Sequence, residues 1–145
     1  MSSSKTAVVY TSGYSTLEGL SEGKTTFSVY WGVDHMNNYE ASVEGYYDIN
    51  YAELYAAQNA VKTAAKQKYS KIIIRTGSRF VYDLIKNSAN FANAPTEILH
   101  LVQSIHDFKR QVIVNVELEA NEASGGVYEH QVAERVTADK ENKHD

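Results

Sequence analysis

Asn50-Tyr51-Ala52-Glu53-Leu54-Tyr55-Ala56-Ala57-Gln58-Asn59-Ala60-Val61 is the stretch on which the reading of the fold turns. Leu54, Ala57, Val61, Ala64 and Ala65 recur at helical spacing, so one side of the segment can lie on a core. Lys62, Lys66 and Lys68 belong to the solvated side. The stretch therefore opens a long helix. Glu53 is its one acid and flanks the apolar stripe. A carboxylate at this place has two readings. It is either a first-turn acid that complements the helix dipole, where acids are enriched, or a metal ligand at the end of a sheet.

Working outward, Ser70-Lys71-Ile72-Ile73-Ile74-Arg75-Thr76 is a short apolar run of the kind that fits a strand covered on both faces. Gly77-Ser78 ends it, and Ser78 can cap the helix that carries Phe80, Val81, Leu84 and Ile85. A polar connection from Ser88 to Ala94 leads to Pro95, the only proline, which at a first helical position starts a helix with Ile98, Leu99, Leu101, Val102 and Ile105. Gln111 to Leu118 alternates as a last strand. Asn121 to Gly126 breaks the pattern, and Val127 to about Asp139 reads as a polar helix before a frayed tail. On the other side, Lys5 to Ser12 is apolar on both faces and suits a central strand that Gly13 ends; residues 14 to 24 read as a loop. Thr26 to Val33 is aromatic and β-branched, Asp34 to Asn38 supplies turn residues, and Tyr39 to Tyr47 alternates as a strand with one wet face. The order is three strands, helix, strand, two helices, strand, helix. It predicts an α/β domain with a five-stranded mixed sheet, an antiparallel three-strand meander plus two parallel strands, and helices on both faces.

The 145 residues, 43% hydrophobic and 22% charged, suit one domain with a real core, 1–145, ordered from about 5 to 138. With no cysteine there is no disulfide framework and no thiolate metal site. No apolar run approaches the roughly 20 residues of a membrane helix, and the N-terminus shows no signal core, so the expectation is a soluble protein of the cytoplasm or nucleus. A formal charge of -4 is not the footprint of a domain held on nucleic acid by phosphate contacts alone.

This order, with the residues at its corners, resembles the type 1 ribonuclease H family from about Lys5 to Ala138. Thr11-Ser12-Gly13-Tyr14-Ser15 sits where that family has Asp-Gly-Ser at the end of its first strand. Asn50-Tyr51-Ala52-Glu53-Leu54 is similar to its Asn-x-Ala-Glu-Leu helix start, and Arg75-Thr76-Gly77-Ser78-Arg79-Phe80-Val81 to its Thr-Asp-Ser-x-Tyr-Val strand exit. Gly125-Gly126 and Val132-Ala133 resemble its glycine-containing loop and its last helix. The resemblance implies four carboxylates holding two divalent cations, one to activate water and one to steady the leaving oxygen. The matching positions here are Ser12, Glu53, Gly77 and, by the ungapped match of the last helix, His130. Only Glu53 keeps its acid. A one-residue shift of the last helix offers Glu129 instead, and Glu18, Glu22 or Glu122 lie in loops. The expectation is a pseudoenzyme with no catalytic residues and with Mg2+ binding lost.

The resemblance also implies where RNA/DNA hybrid is gripped. Gly13 matches a backbone contact and Asn50 one of two asparagines, but Ile49 replaces the other. The segment matching the basic protrusion, Asn87 to Thr96, has no Lys or Arg. Arg75, Arg79 and Lys86 remain as a small basic strip, so nucleic-acid binding is expected to be weak at most. Tyr46, Tyr47, Tyr51 and Tyr55 cluster around the third strand and the helix entry; tyrosine is normal in a half-buried sheet, and such a cluster also suits an interface with a protein partner or a homodimer. The expected role is a protein-interaction or scaffold module, with hybrid binding without cleavage as the alternative and an active nuclease with rearranged acids as a third. His35, His100 and His106 read as ordinary surface residues.

Overall fold

The computed structural model describes residues 5–16, 24–43, 49–86 and 94–119. Their elements are β1 (Thr6–Thr16), β2 (Lys24–Tyr30), β3 (Tyr39–Val43), α1 (Ile49–Lys66), β4 (Lys71–Thr76), α2 (Arg79–Lys86), α3 (Thr96–Phe108) and β5 (Ile113–Leu118). The five strands form one sheet in the order β3-β2-β1-β4-β5. Pairing is antiparallel from β3 through β2 to β1, and parallel from β1 through β4 to β5. This is the mixed sheet that the element order predicts.

β1 is longer than its apolar pattern. Thr6 to Thr11 pair with β4, Tyr10 to Thr16 pair with β2, and the two ladders share only Tyr10 and Thr11. The strand thus continues through Gly13 because β2 supplies hydrogen bonds to Tyr14, Ser15 and Thr16, a tertiary rescue that alternation cannot reveal. β4 stops at Thr76, so β1 runs on alone on that side. The sheet opens at this point.

One face carries the core. Val9, Val29, Ile72 and Ile74 are fully buried, and Leu54, Ala57, Val61 and Ala64 of α1 pack among them. Burying a Leu or Ile side chain stabilises by about 1.5–3 kcal/mol, so this layer dominates the stability of the domain. Ala52, Ala56 and Ala60 are also fully buried, because α1 lies against the sheet on one side and α3 on another. Gln58 Nε2 donates to Ser104 Oγ at 3.0 Å across that second contact.

The helix ends correct two expectations. α1 begins at Ile49, and α3 begins at Thr96 with Pro95 as its N-cap (φ -59°, ψ 155°) rather than its first helical residue. The Pro95 carbonyl accepts from the N–H groups of Ile98 and Leu99, each at 3.0 Å. Ser78 caps α2 as expected, its Oγ accepting the Val81 N–H at 3.1 Å. The second strand ends at Tyr30, short of Val33, because Gly32 (φ 145°) and Asp34 (φ 56°) turn the chain.

The opposite face bears Val8, Tyr10, Tyr30, Ile73 and Arg75, with the Tyr10 and Tyr30 rings 6.4 Å apart. Of the described helices, α1 and α2 contact the sheet and α3 packs on α1; the helix expected from Val127 to Asp139 lies outside the described residues. Among the described residues no helix is long and apolar enough to cross a membrane.

Candidate functional site

The opening of the sheet is where the sequence places its candidate acids. Thr11 faces Thr76 as the last pair of the β1–β4 ladder, so Ser12 and Gly77 follow just past its end. Gly13 lies against the start of α1. A Cβ on Gly13 would come within 2.6 Å of the Ala52 Cβ and the Glu53 backbone nitrogen, and 2.7 Å of the Ala52 carbonyl carbon. The missing side chain is what lets the helix seat directly on β1. Ser12, Glu53 and Gly77 are thereby gathered at one end of the sheet, and Thr11, Thr25, Ser28 and Thr76 are buried polar residues of the strands there. The hydroxyls of Thr11 and Ser28 have no hydrogen-bond partner among the described residues.

Glu53 is 2% exposed. Because α1 starts at Ile49, its first turn contains no acid and Glu53 falls beyond it. The dipole-complementing reading is therefore displaced: a solvated first-turn acid does not sit this deep. What remains is a carboxylate buried beside two strand ends, in the place where a metal ligand would stand.

Its neighbours do not complete such a site. Ser12 offers a neutral hydroxyl and Gly77 no side chain, so the three described positions supply one carboxylate between them. Two hard dications need several anionic oxygen ligands close together, and these residues do not fit that pair. Among the described residues no three of His, Asp and Glu converge to hold a metal. The gap at Gly77 is chemical rather than conformational, since Gly32 is the only described glycine with positive φ. His130, and with it Glu18, Glu22, Glu122 and Glu129, lies outside the described residues.

Arg75, Arg79 and Lys86 do not form one basic strip. Arg75 donates from Nε to Glu117 Oε1 and from Nη1 to the Tyr10 hydroxyl, each at 3.0 Å. These bonds, the one to Tyr10 foremost, push its pKa above the usual arginine value. Arg79 stands 3.8 Å from Asp83 on the exposed side of α2. Exposed pairs of this kind are worth about 0–1 kcal/mol, so they mask charge more than they stabilise. Lys86 lies at the far end of α2 with its Nζ 5.4 Å over the Tyr82 ring. There it lines a cleft of about 480 Å3 with Ile85, Lys109 and β5 residues that include Glu117, and Ser12, Glu53 and Gly77 are not in its lining. Asn50 is half-buried in the first turn of α1, beside the exposed Ile49.

Two of the four tyrosines expected at an interface have structural work. Tyr51 and Tyr55 rings are 5.8 Å apart, Tyr55 is 4.9 Å from Phe27, and Phe27 is 5.7 Å from Tyr39. This ladder ties α1 to β2 and β3, each ring pair adding about 0.5–1.5 kcal/mol beyond area burial. Tyr46 and Tyr47 lie outside the described residues. Sequence reading missed Phe27 and Tyr39 as partners because only the strand register brings them to α1. It also missed Tyr14, whose hydroxyl pKa is raised by burial and then by Glu40.

Comparison with known proteins agrees with this architecture. A family model described as RNase H matches residues 4–139. Ribonuclease H1 of Rattus norvegicus is 32% identical over 83 residues, 57% of this chain and 29% of the relative. Ribonuclease H1 of Homo sapiens is 32% identical over 80 residues, 55% of this chain and 28% of the relative. The matched segment thus covers under a third of the length of these curated relatives. Among solved structures, the PFV RNase H domain superposes with a TM-score of 0.66 at 16% identity, covering 92% of this chain and 93% of that one. RNase H1 from Halobacterium salinarum NRC-1 gives 0.58 at 14% identity, covering 89% and 98%. LC11-RNase H1 in complex with RNA/DNA hybrid gives 0.61 at 17% identity, covering 90% and 96%. At such identities the structural likeness concerns the fold.

Proposed function

Because the chain belongs to the RNase H family, we propose that it is a catalytically inactive member that serves as a protein-interaction or scaffold module. The observation that carries this reading is the make-up of the strand ends: Ser12 and Gly77 flank the buried Glu53, and neither can hold a metal pair with it. Two-metal phosphodiester hydrolysis needs ions on both the attacking and the leaving oxygen. A lone carboxylate supplies neither the charge nor the ligands for both. Glu53 then acts as a buried structural acid. With chemistry removed, what the fold has to offer is surface, and analogy of fold alone supports an RNA- or DNA-handling complex as its setting.

A second reading keeps nucleic acid as the ligand. It is supported by Asn50 at the start of α1, by Gly13 packed beneath it, and by a structural neighbour described in complex with RNA/DNA hybrid. Against it stand the acids paired with Arg75 and Arg79 and the net charge of -4. The test is to incubate the purified chain with labelled RNA/DNA hybrid in Mg2+ or Mn2+ at low salt, reading cleavage and gel retention from the same tubes. The module reading expects neither. Retention without cleavage replaces it with the second reading, and cleavage that Glu53→Ala abolishes refutes both.

A further inference from the structure

The end of the sheet opposite Glu53 carries a turn that is unusually well held. Asn38 Oδ1 accepts the Trp31 N–H at 2.6 Å, and Asn38 Nδ2 donates to the Gly32 carbonyl at 2.7 Å. The Asn37 N–H donates to His35 Nδ1 at 3.0 Å. The side-chain amides of Asn37 and Gln67 exchange both of their hydrogen bonds at 2.9 Å, which clamps the turn to the end of α1. The Trp31 ring stacks on His35 and leans on Tyr69, each 5.4 Å away. This fixed turn holds two apolar side chains in water: Val33 is 75% and Met36 83% exposed.

Cations lie on its α1 side. Lys5 donates to the Gln67 carbonyl at 3.2 Å and lies 4.3 Å over the Tyr69 ring. Lys66 and Lys68 flank Gln67 in sequence, both are exposed, and neither makes an ion pair among the described residues. At the Glu53 end, by contrast, Arg75 and Arg79 face acids. A chain with a net charge of -4 therefore reverses its sign locally, beside a rigid apolar knuckle.

We infer that the turn carrying Val33 and Met36, with the lysines at the end of α1, is a docking surface for an acidic protein segment that brings an apolar side chain of its own. Preorganised apolar anchors ringed by charge are what protein interfaces use. A phosphate backbone would leave Val33 and Met36 in water. Asp34, the one acid of the turn, is exposed between them, so the partner's acids would face the lysines and its apolar side chain the turn. The inference rests on the reading of the chain as an interaction module and adds the place and the chemistry of the partner.

Trp31 is the only tryptophan and stacks within the turn, so its emission reports occupancy. The full chain is titrated with a labelled peptide of Glu with interspersed Leu, with single-stranded DNA of equal charge, and with phosphatidylserine vesicles. The expected result is saturable binding of the peptide alone, weakened about tenfold or more by Val33→Glu with Met36→Glu and by Lys66→Glu with Lys68→Glu, at an unchanged Tm. No peptide binding, equal binding by the variants, or preference for DNA or vesicles overturns the inference. Hybrid cleavage is read on the same preparation. Cleavage refutes the inactive-module reading whatever the peptide does, whereas a non-cleaving chain that ignores the peptide loses only this docking surface.

Discussion

Gly13→Ala isolates the contact that builds the site. The new methyl group would stand 2.6 Å from both the Ala52 Cβ and the Glu53 backbone nitrogen and 2.7 Å from the Ala52 carbonyl carbon. Two of those three atoms are backbone of α1, which cannot rotate away, so the helix start itself has to move. Gly13 does not have positive φ, so the substitution brings no backbone strain and its effect is steric. Overpacking costs about 1–3 kcal/mol, and backbone contacts place this case in the upper half of that range. The lost glycine freedom of the unfolded chain returns about 0.4–1 kcal/mol. A net loss of about 2 kcal/mol remains, which for a domain near this size lowers Tm by about 4–8 °C. Thermal and urea unfolding followed by circular dichroism measure it, with the slope against urea unchanged. A variant that melts within about 1 °C of the parent would refute the claim that α1 seats on β1 through this glycine.

Other consequences are open to the same measurements. Ser78→Ala removes the acceptor of the Val81 N–H and is expected to cost about 1 kcal/mol. Leu54→Ala empties a fully buried position between sheet and helix, with an expected loss of about 2–5 kcal/mol in urea unfolding. Burial, then Lys109, lowers the His106 pKa below its ordinary 6.5. The neutral ring is thus favoured in the folded state, and its contribution is complete above pH 6.5 and lost as pH falls through the folded value. Stability measured from pH 7.5 down to pH 5 should fall less steeply in His106→Gln than in the parent, and identical slopes would contradict the assignment.

The order of elements was legible because each rests on local chemistry: the isoleucine run of β4, the Ser78 cap, the apolar stripe of α1. The sequence also marks the neighbourhood where Ser12 and Gly77 follow the last β1–β4 pair and Glu53 lies near the start of α1. What was not legible depends on long-range pairing. Tyr14, Ser15 and Thr16 have no apolar alternation and become strand only through β2. α1 is covered by α3 as well as by the sheet, so its buried alanines Ala52, Ala56 and Ala60 extend beyond the single apolar stripe. Tyr51 and Tyr55 looked like surface for a partner, but strand register places Phe27 beneath Tyr55. Arg75 looked like a free cation until β5 brought Glu117 to it. The β2–β3 turn offered only generic turn residues; its clamp to Gln67 joins residues 30 apart in sequence.

If the chain is an inactive member of its family, Ser12, Glu53 and Gly77 leave no place for a pair of divalent ions. Calorimetric titration of the purified chain with Mn2+ tests it most directly, beside Glu53→Ala and the double variant Ser12→Asp with Gly77→Asp. The expected result is no saturable binding by the parent or by Glu53→Ala, and new binding when the two carboxylates are supplied. Saturable Mn2+ binding by the parent that disappears in Glu53→Ala would contradict the claim.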